Sequence, residues 1–512
     1  MNNQGRIENS AKNSVFGVAS QVANIFLGLL VRTVFIKTLS SEYLGVNGLF
    51  SNILTMLSLA EMGIGNAIVF NMYKPIANRD YETIAKLMNL YRKAYMIVGI
   101  IVAIVGLAIT PFLDFIIKDQ PDIDHITLIY FMFLANTVLS YFFAYKQSIF
   151  SADQNQRVLH IFRLTFHIIR SAFQIVVLLV WKNFYLYLIV QIVCTVLENA
   201  LIAFYADRKY PFLKTYRKSV LDKEAKKPIF ENIKSLFIYK IGSTVLDGTD
   251  NIIISAMDGV ASVGLLSNYT LVTGSLQGVL TQVTGSITGS VGNFIAKEKE
   301  ERHEQMLENI NFFYFVIYGI VFVGLASALN PFVKIWAGEN YLLDYTSVFI
   351  HCLNIYIYGM MGAVWTFRTT MGLFRYGKWR PLISAAINVI VSIWWAKYLG
   401  LLGVLLGTTF SRVVTNLWYD PYIVYHHGLK KKPFVFYAKW VMYLLVCLVD
   451  IAVIQIALKF IKLPGLVAFL VSGVAAVLLF AGSVILIFRK RPEYQYLLSV
   501  LKNFMNRIRK KK

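Results

Sequence analysis

His160, Arg163, His167, Arg170 and Gln174 follow one another at steps of three and four residues. On a helix that spacing puts all five on one face. Two guanidiniums and two imidazoles in a row suit an anion, because an Arg fork matches phosphate oxygens and His donates or accepts according to its protonation. A second polar face runs through His351, Asn354, Tyr358, Trp365 and Arg368, where rings beside an amide could stack on sugars or simply fill a core. Weaker stripes are Gln21, Asn24, Gly28 and Arg32, and Arg412 with Asn416. The acidic counterparts are Glu61, which continues a face through Asn47, Ser51 and Ser58, and Asp247 and Asp250, which share a face with Lys240. Two readings of these carboxylates stand: an intramembrane ion pair of Lys240 with Asp247, or coupling of the protein to H+ or Na+.

The elements that must hold these side chains lie in lipid. Of 512 residues 57% are hydrophobic and 15% charged, with a mean hydropathy of +0.58. That profile excludes a soluble globular chain and a disordered one. A bilayer core about 30 Å thick needs about 20 apolar helical residues. Fourteen segments qualify: 14–36, 44–72, 94–117, 126–150, 160–181, 184–206, 233–257, 262–295, 310–330, 346–374, 382–398, 401–425, 436–460 and 465–488. The expected fold is therefore an all-α membrane protein with 14 transmembrane helices. With both termini placed in the cytoplasm, 36 of the 50 Lys and Arg fall on the inner side and 7 on the outer. The positive-inside rule thus predicts a multi-pass protein of the plasma membrane with cytoplasmic termini. Met1–Lys12 is polar, and no removable signal peptide is expected.

A net charge of +22 would suggest nucleic acid in a soluble protein. Here the charges sit between apolar runs, so no nucleic-acid partner is expected. The blocks Arg208–Lys234 and Arg489–Lys512 read as orientation signals that attract anionic membrane lipids. Seven cations remain inside the spans: Arg32, Lys146, Arg163, Arg170, Lys240, Arg368 and Arg412. Facing lipid, they would cost on the order of 20 kcal/mol together, more than the ~5–15 kcal/mol that stabilises a typical fold. Most must face water, a ligand or a partner; Arg163 and Arg32 could also snorkel to a surface. Against Glu61, Glu198, Asp247, Asp250 and Asp420 the balance is +2. A wet cavity of that sign favours anions.

Several chemistries are missing. Gly372–Trp379 approaches a phosphate-loop spacing, yet Trp379 stands where Ser or Thr should reach Mg²⁺. His303-Glu304 opens a zinc-protease pattern, but Leu307 replaces the second His. Cys194, Cys352 and Cys447 lie far apart in apolar stretches, which argues against disulfides and thiolate metal sites. We expect no catalytic residues, no metal and no cofactor.

The first half of the chain reappears in the second. Gly45 and Gly264 are 219 positions apart, as are Ala77 and Ala296, and Pro111-Phe112 recurs 220 positions on at Pro331-Phe332. Parallel repeats of this kind build the two lobes of alternating-access transporters. The expected organisation is an N-terminal lobe at 1–206, a basic linker at 207–232 and a C-terminal lobe at 233–425. Two added spans at 426–488, which could form a groove for a lipid tail, and a basic tail at 489–512 complete it. Gly274, Gly278, Gly285 and Gly289 along the eighth span suggest close helix packing, with a hinge for lobe movement as the alternative.

Fourteen spans in two halves, together with the run SEYLGVNGLFSNILTMLSLAEMGIGNAIVFNMYKPIANRD from Ser41 to Asp80, resemble polysaccharide repeat-unit flippases of the Wzx type. The wider superfamily includes multidrug and toxin extrusion proteins and lipid II flippases. The resemblance implies export of an undecaprenyl-diphosphate-linked oligosaccharide across a bacterial plasma membrane, for capsule, O-antigen or exopolysaccharide synthesis. A polysaccharide polymerase and glycosyltransferases are the further partners it implies. The site candidates come from the stripes instead: Arg32, Arg163, His167, Arg170, Lys240, Asn354, Tyr358, Trp365, Arg368 and Arg412 for the substrate, and Glu61, Asp247 and Asp250 for ion coupling. The membrane potential would draw an empty, cationic cavity back inward. The rival readings are a drug/cation antiporter of the same superfamily, for which an acidic cavity is expected, and a membrane scaffold whose buried charges are structural.

Overall fold

Backbone N–H and C=O groups find no water in hydrocarbon, so a chain with this many apolar runs must satisfy them within helices. The computed structural model describes residues 3–58, 64–117, 123–153, 155–217, 219–222, 224, 248–373, 376–377, 379–460 and 464–509. Among them every regular element is helical. The first half comprises α1 (Asn3–Thr38), α2 (Ser41–Leu57), α3 (Ile64–Asn78), α4 (Tyr81–Ile109), α5 (Ile126–Ala144), α6 (Gln147–Ala152), α7 (Gln156–Val180) and α8 (Phe184–Lys209). After a helical stretch at 248–258 come α9 (Val260–Lys297), α10 (His303–Trp336), α11 (Tyr345–Met360) and α12 (Gly362–Thr370). The rest are α13 (Arg380–Leu399), α14 (Leu401–Arg412), α15 (Trp418–Ile423), α16 (Phe434–Phe460), α17 (Gly465–Phe488) and α18 (Pro492–Arg509).

Eleven helical runs among the described residues are long and apolar enough to cross a membrane. The three further expected spans fare differently. Segment 44–72 is helical on both sides of residues 59–63, 262–295 lies within α9, and most of 233–257 is outside the described residues.

Local chemistry sets the helix ends. Asp80 caps α4 by accepting from the Thr83 backbone N–H at 3.0 Å. Hydrogen bonds from the Thr83 hydroxyl and backbone hold its carboxyl below the usual value. Asn183 caps α8 through Leu186 N–H at 3.0 Å, and Asp344 caps α11 through Ser347 N–H at 2.8 Å. Gly400, at φ +54°, turns α13 straight into α14, a backbone that a Cβ would strain. Pro421 cannot donate to the preceding turn, and the helix answers with a π-turn at Val413–Leu417. One extra residue there rotates the remainder of the helix by about 100°.

The chain divides into two compact units, Met1–Ser267 with Gly274–Val279, and Asn268–Thr273 with Leu280–Lys512. The division falls inside α9, whereas the sequence puts a linker at 207–232, of which 225–232 lie outside the described residues. In the first unit α1 packs along α7, α7 on α8, and α5 between α4 and α8. Phe35 meets Phe184 edge-on at 5.7 Å, and Phe50 meets Tyr130 at 5.2 Å. The start of α9 crosses α2 in this unit. A Cβ on Gly45 would lie 2.0 Å from the Val260 carbonyl oxygen, and one on Gly264 would lie 2.5 Å from that of Ser41. Glycine at both positions is what lets the two backbones touch. Gly278 likewise faces the Gln21 amide, while Gly274 meets nothing within 4 Å.

In the second unit α10 is the central helix, and it packs against α11, α16 and α17. Phe312, Phe315, Tyr443, Phe480 and Phe488 interlock there, with Phe315 and Tyr443 stacked at 4.2 Å. Spans 436–460 and 465–488 are thus built into this unit's core. Lys439 on α16 reaches Glu308 on α10 at 3.0 Å and also pairs with Glu493 on α18.

Candidate functional site

Each unit carries one polar constellation built on the stripes. In the first, α7 presents Arg163, His167 and Arg170 along one side. Arg163 donates to Gln147 Oε1 at 2.7 Å, Gln147 Nε2 donates to Asn199 Oδ1 at 2.7 Å, and Asn199 Nδ2 donates to the Thr195 carbonyl at 3.0 Å. This chain runs from α7 through α6 to α8 and fixes the amide so that its oxygen meets the guanidinium. Arg170 donates to His167 Nδ1 at 3.0 Å. The neutral imidazole then carries its proton on Nε2, and that atom is buried with no hydrogen-bond partner among the described residues. Among the described residues no carboxylate forms a salt bridge with Arg163 or Arg170; Glu198 on α8 acts on both only through space. Cationic side chains held by neutral partners keep their charge for an anion. Gln174, the last member of the stripe, is buried and reaches the Tyr187 carbonyl at 3.5 Å.

In the second unit, Tyr314, Tyr318, Tyr358 and Trp365 wall a cavity of about 240 Å³, with hydroxyls from Thr281, Thr284, Thr366 and Thr369. Tyr314 and Tyr318 lie parallel, 6.0 Å apart at 5°, and Tyr358 meets Trp365 edge-on at 5.0 Å. The break between α11 and α12 makes room for this wall. A Cβ on Gly359 would fall 2.0 Å from the Tyr318 ring, and one on Gly362 would fall 2.1 Å from that of Tyr314. Arg412 sits over the Tyr358 ring at 5.5 Å and donates to the Asn354 carbonyl at 2.9 Å. The Asn354 side chain donates to the Leu405 carbonyl at 3.0 Å and accepts from the Thr409 hydroxyl at 3.1 Å. Small-molecule pockets usually run about 300–1,000 Å³, so this one suits a single ring with hydroxyls.

Behind that wall, Asp420 is fully buried and takes three donors: Arg368 at 2.9 Å, Arg380 at 3.2 Å and the Trp365 indole N–H at 2.8 Å. Arg368 also donates to the Tyr376 carbonyl at 2.5 Å. Both guanidiniums have side chains only 8% exposed. Arg368 is therefore paired with an internal carboxylate. The cluster's visible task is to fix the indole that forms part of the pocket. Neither Arg380 nor the partnership of Asp420 is legible in the sequence, since the paired positions are 52 and 40 residues apart with no shared helix.

The other in-span cations sort in the same way. Lys146 is neutralised by Asp207 at 2.6 Å, and Arg32 on α1 donates to the Ser267 hydroxyl. His351 meets the Thr273 hydroxyl at 3.1 Å. Asp250 stands in the helix at 248–258, whereas Lys240, Glu61 and Asp247 lie outside the described residues. The expected ion pair and coupling groups at those three positions have no structural description. Among the described residues no group of three or more His, Cys, Asp or Glu could hold a metal ion. The three cysteines are free and buried. A wider cleft of about 1020 Å³ is lined by residues of α3, α4, α6 and α8, where Lys209 is turned onto the Phe150 and Tyr210 rings at 5.7 and 5.5 Å.

Helices long enough to cross a membrane, an arginine-bearing face and an aromatic pocket are thus what the described residues present. Among solved structures the chain is similar to a lipid II flippase, MurJ, in an inward closed conformation, with a TM-score of 0.70 and 14% identity over 93% of this chain and 99% of that one. It is also similar to an inward-facing multidrug resistance MATE family transporter of the MOP superfamily, with a TM-score of 0.61 and 14% identity over 81% and 99%. A third is a MOP superfamily transporter from Pyrococcus furiosus with a binding pocket described as reversed in polarity, at 0.55 and 13% over 83% and 97%. At these identities the likeness is one of fold. No curated protein matches the chain in sequence. Residues 10–288 match the family described as Polysaccharide biosynthesis protein, and the chain belongs to that family. The resemblance to Wzx-type flippases stands on this match and on the MurJ-like fold.

Proposed function

We propose that the protein is a flippase that carries an undecaprenyl-diphosphate-linked oligosaccharide from the inner to the outer leaflet of a bacterial plasma membrane by alternating access of two lobes, across fourteen spans with both termini cytoplasmic. Transport requires binding and movement rather than a catalytic residue. The observation that carries the reading is the α7 face, where Arg163 and Arg170 are held by an amide and an imidazole and so retain their charge. A diphosphate brings about two negative charges, which two guanidinium forks match. The aromatic pocket of the second unit is proposed separately as a contact for a sugar ring. Sugars stacked on rings and hydroxyls bind loosely enough to leave again.

Charge-neutralising Arg163→Gln and Arg170→Gln together in a strain that depends on the protein tests this. Surface polymer should fall and lipid-linked repeat units accumulate, with the variant inserted at normal levels. Undiminished polymer would remove the proposal. Energy would come from the membrane potential, with H+ or Na+ as the accompanying ion. In vesicles, collapsing the potential should slow turnover, since an empty cationic site is drawn inward at about 2.3 kcal/mol per charge per 100 mV.

A further inference from the structure

A different surface of the first unit holds an unexplained charge cluster. Residues of α4, α5 and α8, with Leu213, Lys214 and Arg217 beyond α8, line a groove of about 540 Å³. One wall is apolar and open to the surroundings: Phe142 is 46% exposed, Phe143 39% and Phe204 67%. The same lining carries Arg92, Lys214 and Arg217, together with Lys146 and Asp207. Lys146 and Asp207 cancel at 2.6 Å. Among the described residues no carboxylate forms a salt bridge with Arg92, Lys214 or Arg217, so three positive charges line the same groove as the exposed apolar wall. Their loop is fastened in place. Asn89 on α4 donates to the Tyr216 carbonyl at 3.0 Å and to the Ser219 carbonyl at 2.9 Å, which ties Tyr216 and Ser219 to the helix that carries Arg92.

An apolar wall exposed at membrane depth is covered by acyl chains, and a preformed cationic end beside it suits a phosphate. We infer that this groove binds one anionic glycerophospholipid, with its phosphodiester against Arg92, Lys214 and Arg217 and its chains along Phe142, Phe143 and Phe204. The lining offers few hydroxyls or amides that are not already engaged, which favours a small phosphoglycerol head over a sugar-bearing one. Bound there, the lipid would brace the first segment of the basic stretch between the repeats.

The test uses the full-length protein in mixed micelles with phosphatidylglycerol or phosphatidylcholine, and native mass spectrometry to count retained lipid. Wild type should hold one phosphatidylglycerol under conditions that strip phosphatidylcholine. Arg92→Gln with Arg217→Gln should weaken that retention by about tenfold or more, and Lys397→Gln, a cation on α13, should not. Excess inorganic phosphate should fail to displace the lipid, because it lacks the chains. A second measurement guards against misfolding: phosphatidylglycerol should raise the unfolding temperature of wild type and leave that of the double variant, otherwise unchanged in phosphatidylcholine, where it was. Equal retention of both lipids, an unaffected double variant, or displacement by phosphate or by undecaprenyl phosphate at equal concentration would each overturn the assignment.

Discussion

Replacing Asp420 with Asn leaves two guanidiniums facing a neutral amide in a site without water access. Asp420 is fully buried, both arginine side chains are 8% exposed, and they contact its carboxylate at 2.9 and 3.2 Å. Removing one member of a buried ion pair costs about 3–5 kcal/mol, because the surviving charge stays desolvated. With the unfolding entropy per residue of globular proteins, that corresponds to a fall in melting temperature of about 3–10 °C for a chain of this size or for one of its units. A thiol-reactive dye reads it out directly, since Cys194, Cys352 and Cys447 are free and buried and label only as the protein opens. Arg380→Gln in the Asp420→Asn background should restore part of the loss, because one cation fewer then faces the neutral amide. The indole, freed from its acceptor, should also lose its fixed angle, so the double variant regains stability without regaining transport. An Asp420→Asn protein that melts with wild type would refute the reasoning: the guanidiniums would then have another source of compensation.

Gly359→Ala and Gly362→Ala should each force a tyrosine ring off its shelf; overpacking of this kind costs about 1–3 kcal/mol. Polymer export in cells should fall with it, whereas Gly274→Ala, with nothing within 4 Å of the new methyl, should be neutral in both assays. Lys439→Ala breaks contacts to Glu308 and Glu493, and the cost should lie between the ~1 kcal/mol of exposed pairs and the ~3–5 of buried ones. Limited proteolysis should then cut α18 first. Gln147→Leu unhooks Arg163 from its amide and should impair transport less than Arg163→Gln, because the charge remains; equal impairment would make the amide itself the contact.

Hydropathy reveals the spans because lipid demands long apolar helices, and the three-and-four spacing reveals the α7 face because helical neighbours are local. The same logic finds Tyr358 and Trp365 but misses Tyr314 and Tyr318, whose i, i+4 spacing on α10 is that of any core helix. Arg368 illustrates the limit most clearly. Its charge in a span is legible, yet whether it faces a ligand or a carboxylate depends on Asp420, brought close by a π-turn that no residue pattern announces except Pro421. The break at Met361, inside a stretch that reads as one span, is likewise marked only by Gly359 and Gly362, which look like ordinary packing glycines until tyrosines are found lying on them.

The crossing of α2 and α9 ties two distant stretches of sequence to the same residue choice. A Cβ on Gly45 would strike the Val260 carbonyl, and one on Gly264 would strike that of Ser41 and the backbone of Gly45 itself. A methyl at either position would therefore wedge the two helices apart, so neither glycine is free to drift.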